Sequence, residues 1–162
     1  MELVYLWVED YKNIKRQGFN FSPRFDCNFN GETLTIDENK DYVSIFPDNI
    51  NVTAIVGENG SGKSSLLEII SNKFEYFNTK SYADEKNFVR FFSIYLCQNK
   101  LLIANDNHKL NIKIKKDQIR CDSKIEYEIL TEYDKYFKYL VSVFYSNTLH
   151  DLNLDLKNKE LD

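Results

Sequence analysis

The chain has 162 residues, of which 43% are hydrophobic and 15% aromatic, enough apolar surface to bury a core in one domain and to exclude a disordered chain. Lys and Arg number 21 against 25 Asp and Glu, a net charge of -4, so bulk charge does not drive the protein onto nucleic acid or an anionic membrane. Only a local basic patch is left open.

The first predicted element, residues 3–8, is apolar on both alternating sets, Leu3/Tyr5/Trp7 and Val4/Leu6/Val8, which is how a central strand buried on both faces reads. Glu2 precedes this run and Glu9-Asp10 closes it, unlike a secretory signal. No other stretch approaches the roughly 20 apolar residues of a membrane span, so a cytoplasmic protein without membrane contact is expected. The three cysteines, Cys27, Cys97 and Cys121, form no CxxC pair. They point to neither a disulfide framework nor a zinc site, in keeping with a reducing compartment.

Phe25, Cys27 and Phe29 alternate with polar residues up to Asn30-Gly31, after which Leu34 and Ile36 resume the alternation. Asn-Gly between alternating runs predicts a hairpin with a type I′ turn. Phe46-Pro47-Asp48-Asn49 reads as a turn leading into a further strand over 50–56. From Lys63 the apolar period becomes helical, with Leu66, Leu67 and Ile70 on one face and Ile69 beside it, and the helix is expected to fade near Ser71-Asn72. Residues 78–86 read as a polar connector. Short antiparallel strands are predicted over 88–97, 101–104, 110–115 and 125–129, with turns at 98–100 and 105–107. A short helix over 132–139, a last apolar strand over 140–145 and a charged tail over 150–162, frayed or a cut end, complete the reading.

The chemistry lies in Gly57-Glu58-Asn59-Gly60-Ser61-Gly62-Lys63-Ser64-Ser65, which matches the Walker A pattern G-x-x-x-x-G-K-[ST] between a predicted strand and a predicted helix. Glycines let the backbone wrap a phosphate chain, and successive N–H groups at the helix N-terminus point at the anion. Lys63 is expected to reach the β- and γ-phosphates, Ser64 to join the Mg²⁺ shell, and Ser65 to bond the α-phosphate side. A glycine turn that only caps a helix is the plainer alternative.

The opening 3–14 with its turn Tyr11-Lys12-Asn13, then Phe19-Asn20-Phe21, and the stretch from Ile50 to Leu67 resemble the N-terminal lobe of ABC-type ATPase heads. Within these the likeness is to the RecF/SMC/Rad50-like branch, which includes ATP-binding proteins of bacterial genome maintenance and phage defence. The matched segments cover about the first 70 residues. The resemblance implies an early hairpin covering the nucleotide, with Lys12 and Asn13 near the α-phosphate or base, or else forming a plain polar turn. It also implies Asn59 facing a partner subunit. The fold so implied is α/β, a P-loop NTPase core with an antiparallel β portion, in one lobe over 1–162 whose parts are 1–77 and 88–145.

The departures from the family are as informative. All five glycines, Gly18, Gly31, Gly57, Gly60 and Gly62, precede residue 63, so the Leu-Ser-Gly-Gly signature is absent. The nearest Walker B likeness, 101–106, ends Ala104-Asn105-Asp106-Asn107 without a catalytic Glu and reads better as a hairpin arm. Gln98 and Ser146-Asn147 are the weak Q-loop candidates. Asn72-Lys73-Phe74-Glu75 is an unconvincing guanine motif, because a D-x-x-G is impossible without glycine. Lys109, Lys113, Lys115, Lys116 and Arg120 read as a solvated face sooner than a DNA strip, and His108 and His150 are isolated.

The expectation is therefore an ATP-Mg²⁺ binding N-terminal portion of a longer or split ATPase. Hydrolysis would require a C-terminal half, a second head or another partner, with DNA or a defence effector as further partners. The rivals are a non-catalytic interaction module and a small nucleotide kinase, the latter weakened by the scarcity of Arg.

Overall fold

The computed structural model describes residues 1–47, 50–76, 90–105 and 114–130. In chain order the elements are β1 (Glu2–Tyr11), β2 (Ile14–Asn20), β3 (Phe25–Phe29), β4 (Leu34–Glu38), α1 (Lys63–Tyr76), β5 (Arg90–Cys97), β6 (Lys100–Asn105), β7 (Ile119–Cys121) and β8 (Tyr127–Leu130). Five strands form one sheet in the order β2-β1-β5-β6-β8, and β3-β4-β7 form a second. The architecture is a sheet-rich α/β arrangement, compatible with a partial P-loop NTPase fold.

β1 is interior to its sheet, as its unbroken apolar run predicts, and Val4, Leu6, Trp7 and Val8 are all buried. One face, with Trp7 and Phe92, packs on the three-stranded sheet through Phe25, Phe29 and Ile36. Trp7, Phe29 and Phe92 meet with ring centroids 5.1–5.9 Å apart, two of the contacts edge-on, the arrangement that the ring quadrupoles favour. The other face, with Leu6 and Val8, takes Ile14, Phe21 and the α1 residues Leu66 and Ile69. Asn20 ties the end of β2 to β3, accepting from Cys27 N–H at 2.9 Å and donating to the Cys27 carbonyl at 3.0 Å.

Several local expectations need correcting. The β3–β4 hairpin forms, with Phe29 opposite Leu34, but its loop has four residues and only Gly31 takes positive φ, 102°. Asn30 acts through its side chain, accepting from the N–H groups of Glu32 and Thr33 at 2.9 and 2.8 Å, so an Asx turn replaces the expected type I′ turn. Tight two-residue turns occur instead at Lys12-Asn13, where Lys12 has φ 51°, and at Gln98-Asn99, with φ 49° and 64°.

The helix runs to Tyr76, past Ser71-Asn72, because the helix penalty of such residues is well under about 1 kcal/mol each. Among its residues up to Ile70, Leu66 and Ile69 are buried and Leu67 and Ile70 half-buried. β8 pairs parallel to β6, where the region 88–129 reads as antiparallel strands, and β7, parallel to β4, is a strand that the sequence reading does not include. The chain leaves β6, visits the other sheet at β7 and returns in its original direction, which a crossover permits and a hairpin does not.

The largest correction is at 50–56. No ladder forms there, and Ile50, Val52 and Val56 are 50%, 59% and 87% exposed. A strand exists only by pairing, and among the described residues none runs beside this segment. Its links are side-chain ones, Thr53 Oγ1 to the Phe21 carbonyl at 2.8 Å and Asn51 Nδ2 to Glu2 Oε1 at 3.0 Å. The turn before it holds, Ile50 N–H donating to the Pro47 carbonyl at 2.9 Å. The predicted elements over 78–86, 132–139, 140–145 and 150–162 lie outside the described residues, as do 106–107 of the predicted turn and 110–113 of the strand over 110–115, whose described residues Ile114 and Lys115 are in no strand.

Candidate nucleotide-binding site

Residues 57–62 form a loop that turns directly into α1, whose first residue is Lys63. Gly60 and Gly62 have φ of 83° and 97°, a region costly for any residue bearing a Cβ. At Gly62 a Cβ would also stand 3.1 Å from Ile14 Cγ1. The glycines are thus required by backbone shape at 60 and by both shape and close approach at 62.

Several of the loop's carbonyls are engaged: Lys63 Nζ donates to those of Gly57 and Glu58, each at 2.7 Å, and Asn13 Nδ2 donates to that of Gly60 at 2.6 Å. Among the N–H groups, Ser61 bonds the Glu58 carbonyl at 3.2 Å and Leu66 the Gly62 carbonyl at 2.8 Å. Among the described residues, the N–H groups of Gly60, Gly62, Lys63 and Ser64 have no backbone acceptor. Donors concentrated at the start of a helix, with a lysine rooted in the same turn, fit an oxyanion. Ser64 is exposed at this first turn, so its hydroxyl suits a Mg²⁺ shell. Beside the loop a cleft of about 400 Å³ opens between β2 and residues 53–57, lined by Phe19, Phe21, Ile55, Gly57, Ser61 and Lys63.

The β1–β2 turn lies on the loop. Lys12 pairs with Glu68 of α1 and sits 5.3 Å from the centroid of the Tyr11 ring. The Glu68 carboxylate holds the Lys12 ammonium above its usual pKa. Asn13 receives the Ser65 hydroxyl at 3.1 Å on Oδ1. Ser65 is therefore directed at Asn13, and Lys12 at Glu68. Asn59 is exposed at the tip of the loop. Glu68 escaped sequence reasoning, since no pattern pairs it with a turn 56 residues earlier.

Gln98 occupies the tight turn between β5 and β6, and residues 101–104 are a hairpin arm in β6. Lys115, Lys116 and Arg120 are exposed around a short 3-10 turn, Lys116–Gln118. Asp106, His108, Lys109, Lys113, Ser146, Asn147 and His150 lie outside the described residues. No group of three or more His, Cys, Asp or Glu side chains suited to a metal occurs among the described residues, and no described helix is long and apolar enough to cross a membrane.

Residues 47–115 match the family model described as ABC transporter. The match supports an ABC-type ATPase domain. It spans the exposed segment before the loop, the loop itself, α1, β5 and β6, and with it ATP binding is the activity this region supports. No curated protein and no solved structure matches the chain.

Proposed function

We propose that this chain binds Mg²⁺-ATP through residues 57–65 and forms the N-terminal lobe of a RecF/SMC-like ABC-type ATPase. The carrying observation is that the N–H groups of Gly60, Gly62, Lys63 and Ser64 have no backbone acceptor among the described residues, in the same loop whose Gly57 and Glu58 carbonyls hold the Lys63 ammonium. When bound, the metal and triphosphate supply the scissile phosphoanhydride and its charge compensation. Lys63 exchanges the Gly57 and Glu58 carbonyls for phosphate oxygens, Gly57, Asn59, Gly60, Ser61 and Gly62 shape the loop, and Ser64 offers its hydroxyl to the metal. Hydrolysis draws on a signature and a Walker B carboxylate that this sequence does not carry, so a second head, a C-terminal half or another partner supplies them. A setting in genome maintenance or phage defence, with DNA or an effector as partner, rests on the resemblance alone.

Calorimetry with Mg²⁺-ATP on the full chain and on Lys63→Ala tests the reading. Saturable binding that the substitution weakens by at least tenfold is expected; equal binding by both proteins refutes it.

A second reading, a nucleotide-dependent interaction module without catalysis, is favoured by the exposure of Val52 and Val56 just before the loop, since apolar side chains at such a place suit a protein partner. Absence of ATP turnover in any reconstituted complex would select it.

A further inference from the structure

The peptide between Gly60 and Ser61 is pinned at both ends. Its carbonyl accepts from Asn13 Nδ2 at 2.6 Å and its N–H donates to the Glu58 carbonyl at 3.2 Å. Gly60 adds no side-chain restraint, and a Cβ built there would find no atom within 4 Å. Glycine at φ 83° has several conformations open to it, and rotation of this peptide would turn a carbonyl toward the place where phosphate oxygens must come.

The same carboxamide reaches the other end of the loop, where Ser65 Oγ donates to Asn13 Oδ1 at 3.1 Å. The turn carrying Asn13 cannot swing away. Ile14 beside it is 1% exposed, and Tyr11 and Ile14 are paired in the sheet. Lys12 adds its ion pair to Glu68 one turn further along α1.

We propose that Asn13 is a positioning residue that fixes the loop before any nucleotide arrives, through the Gly60 carbonyl and the Ser65 hydroxyl, and does not itself ligate the nucleotide. The idea rests on the reading of 57–65 as a phosphate-binding loop, and assigns to the β1–β2 turn the regulation of that site. A loop whose Gly60 carbonyl is already engaged by Asn13 presents its N–H groups at a lower reorganisation cost at binding. Anything that moves the hairpin then alters nucleotide affinity.

Amide hydrogen exchange in the nucleotide-free full chain is the deciding measurement, with Mg²⁺-ATP affinity beside it. Asn13→Ala is expected to speed exchange at Ser61, whose N–H is bonded to the Glu58 carbonyl, while β1 and β5 keep their protection, and to weaken ATP roughly tenfold, the effect of one or two lost hydrogen bonds. Asn13→Asp keeps an acceptor for Ser65 but removes the donor to Gly60. It should match or exceed Asn13→Ala, and it serves if the alanine variant fails to fold. Ser65→Ala, which loses one arm only, should give a smaller change. Unchanged exchange with a lower ATP affinity would make Asn13 a direct ligand and overturn the proposal, as would no change in either. If wild-type protein shows no Lys63-dependent ATP binding, the phosphate-site reading fails by itself, and the exchange data still report whether Asn13 holds the loop.

Discussion

The Tyr5 hydroxyl occupies the space that a side chain at position 18 would need: a Cβ on Gly18 would collide with Oη and lie 2.7 Å from Cζ. Gly18 faces Trp7 across the β1–β2 ladder, and Tyr5 Oη lies 3.2 Å from the Phe29 N–H it accepts. One glycine thus lets a phenol cross the sheet edge and bind the second sheet.

Gly18→Ala is expected to destabilise the fold by about 1–3 kcal/mol, the usual cost of overpacking. Urea unfolding would show it as a lower midpoint. Adding Tyr5→Phe should recover part of the loss but not all, because Cζ remains in the way.

Alkaline solution should unfold the protein early. Burial pushes the Tyr5 phenol and the Cys27 thiol each up to about 12, and Tyr95 upward for the same reason. All three stay protonated in the folded chain at a pH where the unfolded chain has lost its protons. Stability is therefore complete below about pH 9, the ordinary range of a thiol, and falls as pH rises toward 12, by about 1.4 kcal/mol per unit for each group that lags. Thermal midpoints at pH 8, 9, 10 and 11 should decline progressively, and Cys27→Ser should flatten the start of that decline. A constant midpoint through pH 11 would contradict it.

Phosphate release from ATP by the chain alone should be marginal. The sequence carries neither a Leu-Ser-Gly-Gly signature nor four apolar residues followed by Asp-Glu, and a single charge contact supplied in trans is worth about 10³ to 10⁵ in rate in the GTPase comparison. Turnover measured on wild type and Lys63→Ala should be nearly equal and far below the common enzyme value of about 10 per second. Lys63-dependent turnover near that value would locate a complete active site within these 162 residues.

The sheet core was legible where one strand carried its own evidence. β1 reads as buried on both faces because every residue from Leu3 to Val8 is apolar, and the loop at 57–65 reads from glycine spacing alone. What pairs with what was not legible. The sequence at 50–56 is as strand-like as that at 3–8, yet a ladder depends on a neighbour that local pattern does not encode. The parallel return of β8 and the Lys12–Glu68 pair are long-range for the same reason. Gly18 did carry a signal: glycine within a strand marks a close approach, here to Tyr5.

The exposed segment before the phosphate loop has a practical consequence for the protein in solution. Ile50-Asn51-Val52-Thr53-Ala54-Ile55-Val56 is seven residues without charge, proline or glycine, and among the described residues its backbone from Asn51 on has no ladder partner, while Ile50, Val52 and Val56 face water. Such a stretch is a template for intermolecular strand stacking. Concentrated samples should therefore form thioflavin-positive aggregates, and Val52→Lys should suppress them by placing a like charge on every stacked copy. The lysine that occupies the phosphate loop would be untouched, so the same substitution would give a handling variant whose nucleotide chemistry can be studied at high concentration.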